Sequence, residues 1–319
     1  MTVLEAIEAS DTDELLRHTA RLCQAEDWDG LVDLEARCRE AVTRGKQLWG
    51  VAENVRYRLA LEAPGAWAGA AVAAGPARRA LGPLTEVAAS RHAWSELDPY
   101  LPTGTERTLA AHERVVRGEV LTGTAGLDPT VIELPLELAS WEPTYPLAVY
   151  HADRAEFPPP AAPPADWVEL PSGAAAGTPT PSLYQLVAAW AEESNGRVET
   201  IEVAGTAAGA IRAIGPHTAM MAPLSPSEAL AWMAWGGASG GAYGRRRGAA
   251  AGRFAGWWVV ADLGGLDWPA PPDRIAEALA GFRWWWWSPA PAMIGWNLHL
   301  ALEDQATGRA WALSASDAV

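Results

Sequence analysis

Residues 282–289, FRWWWWSP, place four tryptophans in succession, and their reading decides the architecture of the chain's second half. A run this short and apolar reads as an interior strand. Side chains alternate along a strand, so Trp284 and Trp286 face one way, Trp285 and Trp287 the other, and both faces of the sheet need cover. Eleven of the 18 tryptophans fall between Trp232 and Trp311, which points to a tryptophan-packed core. The alternative is an aromatic pocket or partner groove on one face, because tryptophan is favoured at binding hot spots.

Around this run, residues 182–196, SLYQLVAAWAEESNG, read as a helix stopped at Asn195–Gly196, and residues 197–205, RVETIEVAG, alternate like a strand. Residues 225–235, SPSEALAWMAW, open a helix with a capping box between Ser225 and Glu228. Residues 256–263, GWWVVADL, read as a second interior strand, and residues 295–317 as a terminal hairpin turning near Gln305 to Gly308. Residues 183–319 therefore form a tryptophan-rich α+β domain.

The first 157 residues are patterned differently. Asp11 to about Arg117 show helical periodicity interrupted every 12 to 20 residues, with Leu15, Leu22 and Cys23 on one stripe and Leu31, Leu34, Cys38 and Val42 on the next. Successive short helices of this kind predict an all-α domain over residues 1–157, either a HEAT- or armadillo-like array or an irregular bundle. Prolines 135, 143 and 146 exclude a long helix between residues 128 and 156. Residues 158–182, rich in Pro, Ala and Gly, read as a linker to the second domain.

Composition excludes several kinds of chemistry. The chain carries a formal net charge of −15 and 24 Lys and Arg residues, all of them arginine except Lys46. A phosphate-binding or Schiff-base lysine could only be Lys46, whose neighbours lack the P-loop pattern. Cys23 and Cys38 do not have zinc-site spacing, so reduced buried thiols are expected and no metal or cofactor is implied. No apolar run approaches the 18 residues of a membrane span, and the N-terminus lacks a signal-peptide pattern. The expected location is the cytoplasm. Nucleic acid is disfavoured, because an acidic molecule without an extended basic face would repel it.

One segment stands out against this acidic background. Residues 236–258, GGASGGAYGRRRGAAAGRFAGWW, permit three readings. The first is an anion cradle, in which glycines let the backbone approach a small anionic ligand and Tyr243, Arg245, Arg246, Arg247 and Arg253 recognise it. The second is a nucleophile elbow: Gly237 to Gly241 match G-x-S-x-G, with Ser239 followed by Asp262 or Asp267 and by His299. His299 would then lie on the polar face of its strand, opposite Leu298 and Leu300. The helical pattern before Ser239 argues against this reading. The third is close packing, since glycines 240, 244, 248, 252 and 256 recur every fourth residue. Interior helix glycines cost about 1 kcal/mol each relative to alanine, so the packing must compensate. The favoured form of this reading is a loop from Gly236 to about Gly244, then a helix with Arg245 to Arg247 in its first turn. Arginines at a helix N-terminus oppose the dipole and want a negative partner.

The stretches AAHERVVRGE (residues 110–119), GRRRGAAAGRFAGWWVVADLGGLDWP (244–269) and TGRAWALSASDA (307–318) resemble an uncharacterised actinobacterial family of unknown function over most of the chain. The resemblance implies no catalytic residue, ligand or fold. His112–Glu113 is not an H-E-x-x-H motif, and no separated carboxylate pair is assignable to acid–base work. The expected function is a non-catalytic interaction protein that binds a protein partner or a second copy of itself. The alternative is a binder or hydrolase of a small anionic metabolite at residues 236–256.

Overall fold

The computed structural model describes residues 2–173, 176–289 and 295–317. The chain forms two compact units, Met1–Ile132 with Ala148–Glu156, and Glu133–Leu147 with Phe157–Val319. It therefore passes between them three times. Residues 133–147, which local sequence groups with the helices, belong to the second unit.

The first unit contains α1 (Val3–Ala9), α2 (Thr12–Gln24), α3 (Trp28–Thr43), α4 (Trp49–Glu62), α5 (Gly65–Ala73), α6 (Leu84–Ala89), α7 (Trp94–Leu97) and α8 (Thr105–Val116). A short hairpin, β1 (Val149–Tyr150) and β2 (Ala155–Glu156), completes it. Asp11 and Asp27 cap α2 and α3 through the amide protons of Glu14 and Gly30. Helix α4 touches α2, α3, α5 and α6, so the unit is an irregular bundle around α4 and not a nearest-neighbour array. Val51, Val55, Tyr57, Leu59 and Leu61 are all buried, which leaves α4 without a solvent stripe. Buried Arg56 donates to the carbonyls of Ala71 and Gly75 and so satisfies the end of α5. The hairpin is fastened by Tyr150, which donates to Glu86 at 2.6 Å, and by Tyr57, which donates to the His151 carbonyl.

The second unit contains β3 (Asp166–Glu169), β4 (Gly177–Thr178), α9 (Pro181–Leu186), α10 (Ala188–Glu192), β5 (Arg197–Ala204), α11 (Ala207–Ile214) and β6 (Thr218–Leu224). There follow α12 (Pro226–Ala238), α13 (Ala249–Leu263), α14 (Pro272–Gly281), β7 (Arg283–Ser288), β8 (Trp296–Asp304) and β9 (Arg309–Asp317). The strands form one antiparallel sheet in the order β3-β6-β7-β8-β9-β5-β4. The expected linker thus supplies both edge strands, one bearing Asp166 and Glu169 and the other only two residues long, features that discourage further pairing.

These two edge strands are consecutive in sequence, with only residues 170–176 between them. Seven flat strands would set the edges about 29 Å apart at ~4.8 Å per step, close to the full reach of that connection at ~3.5 Å per residue. On one face of the sheet Leu170, after β3, shares a core with Val203 of β5 and with Ala207, Ala210 and Ile211 of α11. Ala219, Ala301, Ala310 and Ala312 line that face and leave room for the short helix, together with Trp285 and Trp287. Glu303 accepts the Ala207 amide proton at 2.9 Å, which places a carboxylate at the start of α11.

Helix α12 covers the opposite face, its Gly236 against Leu298, and so both faces are covered. Trp190, Trp257, Trp287 and Trp311 are fully buried, giving a tryptophan-packed core. Residues 256–263 are helical and continue α13, contrary to the strand reading. That helix is apolar nearly all round because α12 and α14 pack against it, and a short apolar run has the same appearance in either conformation.

Of the five regularly spaced glycines only Gly252 and Gly256 lie within α13, and both face α12. A methyl group at Gly252 would drive into the Ala234 carbonyl, and one at Gly256 would lie 2.8 Å from Leu230. Gly252→Ala should lower unfolding free energy in urea by about 1–3 kcal/mol. The same change at Gly50 of α4, where a methyl meets nothing within 4 Å, should leave stability unchanged or raise it by up to about 1 kcal/mol.

Candidate functional site

The glycine–arginine segment forms the junction between α12 and α13. Helix α12 ends at Ala238, and α13 begins at Ala249 with Gly248 as its N-cap. Arg245, Arg246 and Arg247 therefore precede the helix and do not occupy its first turn. Gly248 adopts φ +101°, a left-handed bend that stops the helix from reaching back through them.

The amide protons of this loop are directed inward. Gly241 donates to Ser239 Oγ at 2.9 Å, Ala242 to Asp317 Oδ2 at 2.6 Å and Tyr243 to Ser194 Oγ at 3.0 Å. Arg245 donates to Glu193 Oε2 at 3.4 Å and Arg247 to the Ala238 carbonyl at 2.8 Å. Ser194 in turn donates to Asp317 Oδ2 at 2.6 Å. Gly241 makes the approach possible: its φ is +80°, and a Cβ there would strike Asp317. The loop is thus an anion cradle occupied by the protein's own carboxylates, Asp317 and Glu193.

The five candidate ligand-binding residues do not converge. Tyr243 is 62% exposed, and Arg245 and Arg247 are also exposed, without a side-chain hydrogen bond or ion pair among the described residues. The Arg246 guanidinium lies 4.7 Å from the centre of the Phe157 ring. Phe157 meets Trp296, which stacks on Trp235 at 5.2 Å between centroids. Arg253 is buried and separate from all of these. It donates to both oxygens of Glu142, at 2.7 and 2.8 Å, and to the carbonyls of Pro135 and Glu137. Glu142 also accepts from Tyr145, Trp257 and the Ala139 amide. This network binds residues 133–147 to α13 and leaves Arg253 nothing to offer a ligand.

Nor does the structure bring Ser239, Asp262 and His299 together. Ser239 follows a helix where an elbow needs a strand, and Asp262 and Asp267 are exposed. His299 belongs to the opposite face of the sheet from Leu298 and α12. It is buried, its ring 4.8 Å from that of Trp287, and not on a polar face as its strand pattern implies. Burial holds its pKa down at about 4.

Cys23 and Cys38 are free and buried, their thiols pushed up to about 11 by desolvation. No group of three or more His, Cys, Asp or Glu among the described residues could hold a metal ion. No helix among them is long and apolar enough to cross a membrane. Asp317, Ser194, Glu193 and Glu142 escape sequence reasoning, because the partners that place them in these networks lie between 49 and 123 positions away.

Fold and loop together define a two-unit α+β protein whose glycine–arginine loop is filled from within. The chain belongs to a family of unknown function, DUF6183, whose model matches residues 13–318. No curated protein and no solved structure matches it.

Truncating either partner of the Arg253–Glu142 pair, as in Arg253→Met or Glu142→Gln, should cost about 3–5 kcal/mol in chemical denaturation. Arg245→Ala and Arg247→Ala should each stay within about 0.5 kcal/mol of the parent. His299 generates a pH prediction. With its folded pKa near 4 against an ordinary 6.5, the unfolded chain takes up the proton first as pH falls. The stability this neutral ring contributes is complete above pH 6.5 and falls by about 3 kcal/mol as pH drops to 4. His299→Gln should flatten that part of the difference between urea midpoints at pH 7 and pH 4.

Proposed function

We propose that the protein is a non-catalytic interaction protein, which binds a protein partner or a second copy of itself through the loop Tyr243–Arg247. The observation that carries this reading is the contrast within the loop. The Tyr243, Arg245 and Arg247 amide protons are committed internally, while the side chains of the same three residues stand in solvent. Tyrosine and arginine are the residue types that dominate protein–protein hot spots, and a pre-ordered backbone lowers the entropy lost on binding. Exposed cations on a chain of net charge −15 favour an acidic partner surface. Residues 1–157, with 25 acidic against 15 basic side chains, supply such a surface in a second copy. Two free buried thiols are compatible with the reducing cytoplasm.

Native mass spectrometry tests the proposal. The purified protein should appear as a complex with itself or with a protein, and Tyr243→Ala/Arg245→Glu/Arg247→Glu should release the monomer with an unchanged melting temperature. A monomer that instead retains a small anion, lost on Arg246→Ala, would replace this reading with a metabolite binder.

A further inference from the structure

Asp317 is a poorly satisfied occupant of the cradle it fills. It is only 2% exposed, and its Oδ2 accepts from Ser194 and Ala242. Its other oxygen, Oδ1, is buried and has no hydrogen-bond partner among the described residues. A carboxylate with one oxygen removed from water and left unpaired is held less tightly than one fully coordinated. The donors around it remain suited to a tetrahedral oxyanion. The left-handed Gly241 turn points the Ala242 amide inward, the Ser194 hydroxyl lies beside it, and the cations of Arg245 and Arg247 follow within five residues.

We propose that this loop is a latent phosphate site, kept shut by Asp317 as an internal pseudo-ligand. Displacing the Asp317 carboxylate frees the Ser194 hydroxyl and the Ala242 amide for a phosphate group, with Arg245 and Arg247 as its counter-charges. Among the described residues, the charged groups near the loop include Glu193, whose carboxylate accepts from the Arg245 amide, its neighbour Glu192, Arg246 over Phe157, and Arg197 on the strand beside Ser316. The inference concerns the loop of the proposed function but stands on the hydrogen bonds of Asp317. It needs no protein partner.

The test compares the full-length protein with Asp317→Ala in inorganic phosphate and in potassium chloride of equal ionic strength. Phosphate should change the melting temperature of the parent no more than chloride does. Asp317→Ala should melt lower in chloride and recover by several degrees in phosphate, with saturation, and Asp317→Ala/Arg245→Ala/Arg247→Ala should lose that recovery. If Asp317→Ala does not fold in chloride, the yield of folded protein on refolding in phosphate becomes the readout. Equal behaviour in the two salts, by melting or by refolding yield, overturns the proposal. So does a phosphate effect that survives removal of both arginines. Because neither readout involves complex formation, failure here leaves the loop's role in protein binding standing, and failure of that role leaves this result intact.

Discussion

The buried pair of Arg253 and Glu142 is the interaction on which the second unit depends. Two charges withdrawn from water are tolerable only when each is paired and its remaining hydrogen-bonding groups are satisfied. Glu142 meets that condition with donors from Arg253, Tyr145, Trp257 and the Ala139 backbone, and Arg253 meets it with two further carbonyls. The consequence is geometric. Residues 133–147 have no regular secondary structure, yet they are fixed on α13, and α13 is fixed on α12 by glycines that allow no intervening side chain. α12 in turn closes one face of the sheet. Arg253 therefore contributes to architecture, although it belongs to the most arginine-rich stretch of the sequence.

The loop between α12 and α13 obeys the same rule on a smaller scale. Glycine-rich turns expose backbone N–H groups that attract anions, and a protein can leave them open for a ligand or fill them itself. Here Asp317 and Glu193 fill them. The glycine spacing that resembles a ligand loop instead permits two close approaches, of carboxylate to turn at Gly241 and of helix to helix at Gly252. The arginines are then divided. Arg253 is buried in its pair, Arg246 lies on an aromatic ring, and Arg245 and Arg247 remain on the surface.

Much of the fold was legible because it is encoded locally. The cap at Ser225, the strand at residues 197–204 and the hairpin turning between Asp304 and Arg309 each follow from spacing and turn chemistry within about ten residues. The misreadings share one cause. Residues 256–263 were ambiguous between strand and helix until two helices packed on them, and residues 158–182 looked like a linker because edge strands among prolines carry little pattern. His299 looked polar-facing because alternation marks a face but not what covers it.

By itself the sequence determined the α+β class, the helical first half and the tryptophan-packed sheet, since these rest on composition and short-range periodicity. Only the tertiary structure decided which negative groups meet the glycine–arginine stretch, which arginine is buried and which stand on the surface, and where Ser239 and His299 stand. Those answers depend on pairings such as Glu142 with Arg253 and Asp317 with Ala242, each joining positions more than 70 residues apart. The energy of such a contact is set by burial and distance in space, and neither quantity is written in the local order of residues.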